Sequence, residues 1–153
     1  MSTKPFRAAH VVRAASFTLD LPRDRAFEFF TPEGERAWAP GWDPRYLHPV
    51  DGAPGVGMVF TTSMSEETLW MMLRYEPAEG RVEYLRCTPG SRVGVVRVEC
   101  VPLEPGSTRV NVSYELTALT EAGNATIREL DDAAFSRFIA TWPEAINHAL
   151  AKR

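Results

Sequence analysis

The sequence has no long hydrophobic run. Its uninterrupted apolar stretches, such as Leu69 to Leu73, are strand-sized, far below the roughly 18 residues that suggest a membrane-spanning helix. Near the N-terminus, His10 and Arg13 interrupt the apolar residues, so no signal peptide is visible. No charge sign dominates: 17 Lys+Arg stand against 20 Asp+Glu, a net of -3. That small negative balance argues against a nucleic-acid partner, which needs a basic field to engage phosphates. Cysteine is scarce, with only Cys87 and Cys100. On neighbouring strands of one hairpin, with Cys87 beside the turn and Cys100 far along the partner strand, they are too distant for a disulfide. Reduced thiols are the expectation, in a cytoplasmic protein.

Histidine is equally sparse. His10, His48 and His148 show no HxxxH spacing, and neither CxxC nor CxxH occurs, so no metal site is expected. GxGxxG, GxxxxGK[ST] and GxSxG are all missing. No cofactor is implied, and no catalytic residue is assigned by motif. Glu66-Glu67 and Asp131-Asp132 read as a turn and a solvated helix face.

What the chain does contain is apolar and aromatic. Of 153 residues 44% are apolar, with four Trp, four Tyr and eight Phe. That is enough for one domain, 1–153, around a single core. Val11 to Leu19 alternates, with Val11, Ala15, Phe17 and Leu19 on one parity, and reads as a strand. Pro22 to Phe30 reads as a short helix opened by proline. Thr31 then caps a second one that starts with Pro32 and ends near Trp38. Six strands follow: Arg45 to Val50, Val56 to Met64, Thr68 to Tyr75, Arg81 to Thr88, Arg92 to Leu103 and Ser107 to Leu119. Proline, glycine and acidic turn residues separate them. From about Asn124 to Leu150 the apolar period changes to three and four, through Ile127, Leu130, Ala134, Phe138, Trp142, Ala145 and Ala149. One long helix is expected, bent at Pro143 and restarted by the capping-box spacing of Thr141 and Glu144.

The element order, with the stretches "ASFTLDLPRDRAFEFFTP", "GRVEYLRC" and "VSYELTALTEAGN" leading into "FIATWPEAI", resembles the START-like, or SRPBCC, superfamily. That group includes polyketide cyclases, plant allergen and hormone-receptor relatives, lipid-transfer domains and activators of the Hsp90 chaperone. The resemblance covers nearly the whole chain. It implies an α+β helix-grip fold: a seven-stranded curved antiparallel sheet around a long C-terminal helix, with two short helices between strands 1 and 2. It also implies a cavity between helix and sheet that holds a hydrophobic or aromatic small molecule. A cyclase or dehydratase using the same cavity, or a chaperone-interacting module, are the alternatives, because such a fold does not determine chemistry.

Strand parity selects the residues that would face that cavity. A three-residue connection after Thr88 pairs Val82 with Val98 and Tyr84 with Val96, and turns Arg86 inward. A two-residue turn would bring Glu83 inward, which is costly without a partner. The candidates on this register are Val82, Tyr84, Arg86, Val98, Val112 and Tyr114. Trp70 and Met72 match the inward parity of Phe60 and Thr62, leaving Leu69, Met71 and Leu73 on the outer face. Such an exposed stripe often marks an interface, so a homodimer is a hypothesis. In the loop "WAPGWDPRYLHP", Trp42 and Tyr46 either contact a ligand or plug the core. Phe138 and Trp142 face the sheet, as core or as cavity lid. Arg86 has two readings: a cation inside an apolar cavity awaiting a ligand carboxylate or enolate, or a rim arginine in water.

Overall fold

The computed structural model describes residues 5–152. Strand β1 is His10–Leu19. Helices α1 (Arg23–Glu28) and α2 (Pro32–Glu35) follow. The meander comprises β2 (Arg45–His48), β3 (Val59–Ser63), β4 (Glu67–Glu76), β5 (Arg81–Thr88), β6 (Arg92–Glu104) and β7 (Ser107–Ala118). Two helices close the chain, α3 (Glu121–Glu129) and α4 (Asp132–Ala151). The strands form one antiparallel seven-stranded sheet in the order β1-β7-β6-β5-β4-β3-β2. Successive hairpins set every neighbour except β1, which crosses to pair with β7. This curved sheet, gripping a long C-terminal helix, is the helix-grip fold.

The parity argument holds through the central strands. Val82 pairs with Val98, Tyr84 with Val96 and Arg86 with Gly94, so Pro89-Gly90-Ser91 is a three-residue connection. Gly90 supplies its positive φ of 76°, which glycine adopts without steric cost. Phe60 faces Trp70 and Thr62 faces Thr68 across β3 and β4. Leu69, Met71 and Leu73 project outward and are exposed. Cys87 and Cys100 are free thiols. Burial pushes the Cys100 pKa up to about 12.

The C-terminal segment departs from the expected single helix. It breaks at Leu130, whose backbone leaves the helical region, and restarts where the Asp131 side chain accepts from the Ala134 backbone N–H at 2.8 Å. Asp131 is therefore a cap and not part of a solvated helix face. Arg13 on β1 fixes this joint from the other side, its Nε donating to the Leu130 carbonyl at 2.9 Å. The break resets the helix phase. The buried stripe of α4 is Phe135, Ile139, Trp142 and Ile146, and Phe138 lies on its exposed flank. No restart occurs at Thr141, because α4 continues through Pro143. The Thr141 hydroxyl donates back to the Phe138 carbonyl at 2.6 Å instead of capping a new turn. Among the described residues, no helix is long and apolar enough to cross a membrane.

Candidate ligand-binding site

A cavity of about 650 Å³ lies between the sheet and α4, within the range of small-molecule sites, roughly 300–1,000 Å³. Its floor is the inward face of two cross-strand ladders. One runs Trp70–Arg86–Gly94–Leu116 and the other Tyr84–Val96–Tyr114. Trp142 and Phe138 of α4, Ile127 of α3 and Trp38 after α2 supply the roof and wall. The lining side chains that are exposed, Pro40, Met64, Thr126, Glu129, Phe138 and Thr141, mark its mouth. Gly94 stands opposite Arg86. A Cβ there would lie 2.0 Å from the Glu115 carbonyl oxygen, so the position must stay bare.

Of the residues named from sequence, the structure brings Trp42, Trp70, Tyr84, Arg86, Val98, Tyr114, Phe138 and Trp142 to the cavity wall. It does not bring Tyr46, Phe60 or Met72 there, nor Val82 and Val112. Parity assigned Phe60, Met72, Val82 and Val112 to the correct face, but that face is divided between a solid part and a hollow part, and Tyr46 was chosen from its loop alone. Phe60 is fully buried and stacks flat on Trp70, centroids 5.9 Å apart, with Trp42 and Tyr46 edge-on against it. Tyr46 points away, its hydroxyl donating to Glu33 Oε2. Met72, Val82 and Val112 belong to the close-packed core.

Four of the polar tips of the cavity aromatics are already engaged. Trp38 Nε1 donates to the Phe29 carbonyl and Tyr84 Oη to the Phe30 carbonyl, at 2.8 and 2.7 Å. Trp42 Nε1 donates to the Pro32 carbonyl at 2.8 Å. These acceptors lie at the junction of α1 and α2, where a helix end leaves carbonyls without intrahelical partners. Trp70 Nε1 is also satisfied, donating to Thr62 Oγ1 at 3.0 Å. Tyr84 and the three tryptophans therefore offer a ligand their rings and not their donors.

Besides Trp142 Nε1 and the Glu129 carboxylate at the mouth, three polar groups remain. Arg86 sits over the Trp70 ring, its Cζ 5.5 Å from the centroid. Nη2 donates to Thr88 Oγ1 at 2.7 Å, while the buried Nε has no partner. No carboxylate pairs with this guanidinium, and burial pulls its pKa downward. Arginine nevertheless remains charged in proteins. Tyr114 Oη lines the cavity without a hydrogen bond among the described residues. Burial raises its pKa, Arg86 lowers it and Glu35 raises it further.

The third group is Glu35, which sequence reasoning missed. It is on the cavity wall, and its carboxyl makes no hydrogen bond or ion pair with any described residue. Burial holds its pKa well above the usual carboxylate range. A signal for it exists in the sequence. Pro32 is buried, and residues three apart share a helix face, so Glu35 must point inward with it. Glu33, two residues earlier, faces the other way, toward Arg36 and Tyr46. At the mouth Arg92 is not free, because Nη1 and Nη2 hold Glu66 at 3.1 and 2.9 Å.

No protein-family model and no curated protein matches the chain. Solved structures do. Norcoclaurine synthase from Thalictrum flavum, in complex with dopamine and hydroxybenzaldehyde, is similar with a TM-score of 0.66 at 11% identity, over 92% of this chain and 88% of that one. The ZhuI aromatase/cyclase from Streptomyces sp. R1128 is similar at 0.64 and 17%, over 94% of each chain. Ara h 8.0201 is similar at 0.61 and 11%, over 94% and 99%. Across such low identities the likeness is one of fold. The chain shares the helix-grip fold of these three structures.

Proposed function

We propose that this protein binds a hydrophobic or aromatic small molecule bearing an anionic or strongly accepting oxygen, and that Arg86 holds that oxygen. The observation that carries the reading is a guanidinium without a carboxylate partner inside an apolar, aromatic-lined cavity. A buried charge of this kind is costly when unpaired, and a ligand oxygen would complete it with a charge-assisted hydrogen bond. Trp38, Trp42, Trp70 and Trp142 would supply apolar contact, with Tyr114 as a second polar contact. The dopamine and hydroxybenzaldehyde held by the norcoclaurine synthase of the same fold are ligands of comparable size and aromatic character.

Native mass spectrometry of freshly purified protein tests this directly, through the mass of any copurifying compound. A titration with aromatic carboxylates, followed by tryptophan fluorescence, gives the complementary measurement. Four tryptophans line the cavity, so saturable quenching is the expected result. An unresponsive spectrum across aromatic and lipidic acids, together with no copurifying compound, would overturn the reading.

A further inference from the structure

The cavity has a second unsatisfied group that a carrier of hydrophobic anions does not need. Glu35 and Arg86 both line it, make no ion pair with each other, and leave carboxyl oxygens and guanidinium nitrogens uncommitted. Tyr114 stands within electrostatic reach of both. A carboxyl placed in a cavity merely to pack would be an expensive choice there. A carboxyl and an uncommitted cation on one apolar cavity are the two parts required for removing a proton next to a carbonyl group.

We propose that this cavity catalyses proton transfer at the carbon adjacent to a ketone in an aromatic or apolar substrate, with Glu35 exchanging the proton and Arg86 stabilising the enolate oxygen. The proposal rests on the reading that the cavity takes a hydrophobic small molecule, and adds an activity to it. In the step, the Glu35 carboxylate takes the α proton. The C–H electron pair becomes the carbon–carbon double bond as the carbonyl π pair moves onto oxygen, where the Arg86 guanidinium donates to it. Return of a proton from Glu35 to the same carbon regenerates the ketone. Return elsewhere leaves the enol, and no oxidant or second reactant is required. The burial that raises the Glu35 pKa also makes its carboxylate a stronger base than an exposed one. Preorganised donors at a developing oxyanion form one of the larger contributions in catalysis of this type.

The probe is 2-tetralone, an aromatic ketone small enough for the cavity, incubated with the protein in D₂O. Proton NMR follows loss of the C1 hydrogens, and tryptophan fluorescence follows binding of the same compound. The expected result is exchange at least tenfold faster than in buffer, suppressed when N-phenyl-1-naphthylamine fills the cavity. Glu35→Gln should bind 2-tetralone and bring exchange to within twofold of buffer. Glu35→Asp, which keeps the carboxyl, should retain part of the rate, and Arg86→Met should fall to within about threefold of the buffer rate. Bound 2-tetralone without accelerated exchange, or full exchange in Glu35→Gln, overturns the inference and leaves the binding reading standing. Failure of 2-tetralone to bind overturns the inference alone, because the binding reading is decided by the aromatic and lipidic acids. The competition experiment needs only the wild-type chain, so exchange that N-phenyl-1-naphthylamine does not suppress overturns the inference even if a variant does not fold.

Discussion

Replacing Arg86 by methionine should make the protein more stable and less selective. The side chain stays long and apolar enough to cover Trp70 while its charge is removed. The losses are one charge-assisted hydrogen bond to Thr88, about 1.5–3 kcal/mol, and the stacking over Trp70, about 0.5–2 kcal/mol. Thr88 is not left unsatisfied, since its hydroxyl also meets Thr68 Oγ1 at 2.8 Å. Against these stand the desolvation of a buried cation, several kcal/mol, and the unpaired Nε, about 1–3 kcal/mol. The net expectation is a gain of about 1–3 kcal/mol, or a Tm raised by about 5 °C at this chain length. Ligand binding should move the other way, and only for acids. Loss of a charge-assisted contact weakens 2-naphthoate by about 10- to 150-fold. The neutral 2-methylnaphthalene should change by less than about threefold, because burial of its rings is untouched. Calorimetry gives the first number and fluorescence titration the others. If Arg86→Met costs more than about 2 kcal/mol, and both probes weaken alike, the guanidinium is a strut for Trp70 and Thr88 and not a ligand contact.

Glu35→Gln should raise the Tm with a defined pH dependence. A carboxyl whose folded-state pKa lies above its unfolded value binds more protons in the native state, so wild-type stability falls as pH rises from about 4.5 through the raised value. Thermal scans should show the variant matching wild type near pH 4 and pulling ahead at neutral pH; an advantage independent of pH would contradict the burial argument. Tyr84→Phe removes the donor to the Phe30 carbonyl and should cost about 0.5–1.5 kcal/mol in urea unfolding, with an unchanged midpoint as the contrary outcome. Gly123→Ala, normally favourable in a helix, should instead destabilise by about 1–3 kcal/mol, because its Cβ would lie 1.9 Å from the Ser91 carbonyl oxygen. A stabilised alanine variant would show that α3 does not press on the β5–β6 turn.

The sheet was readable because alternation has one free choice per strand, and burial removes it. Glu83 would have been driven inward by the other register, and the Val82–Val98 and Tyr84–Val96 pairs follow from refusing that. Helix phase is less constrained. A stripe of threes and fours can pass over a break without changing period, and Asp131 looked like surface charge until its cap to Ala134 was seen. Pro143 drew attention as the natural place for a restart, yet α4 runs on through it and the Phe135, Ile139, Trp142 and Ile146 stripe buries residues on both sides.

The site shows a different limit, because a residue's chemistry in a cavity is set by what its polar atoms have left over. Tyrosine and tryptophan were natural candidates for orienting a ligand, since each joins an apolar ring to a donor. Those donors are taken up by three backbone carbonyls around the turn between α1 and α2, at Phe29, Phe30 and Pro32. That assignment depends on how two short helices dock on the sheet, which no local pattern encodes. It leaves Arg86 and Glu35 as the charged groups of the inner wall with uncommitted atoms. One stood out in the sequence as a cation on an inward parity, and the other was hidden in a Pro-Glu-Gly-Glu turn that reads as solvent-facing. Only the pairing of Glu35 with buried Pro32 on one face turns that carboxyl inward. A search for reactive sites in such folds therefore gains most from asking which side of each short helix its buried residue defines.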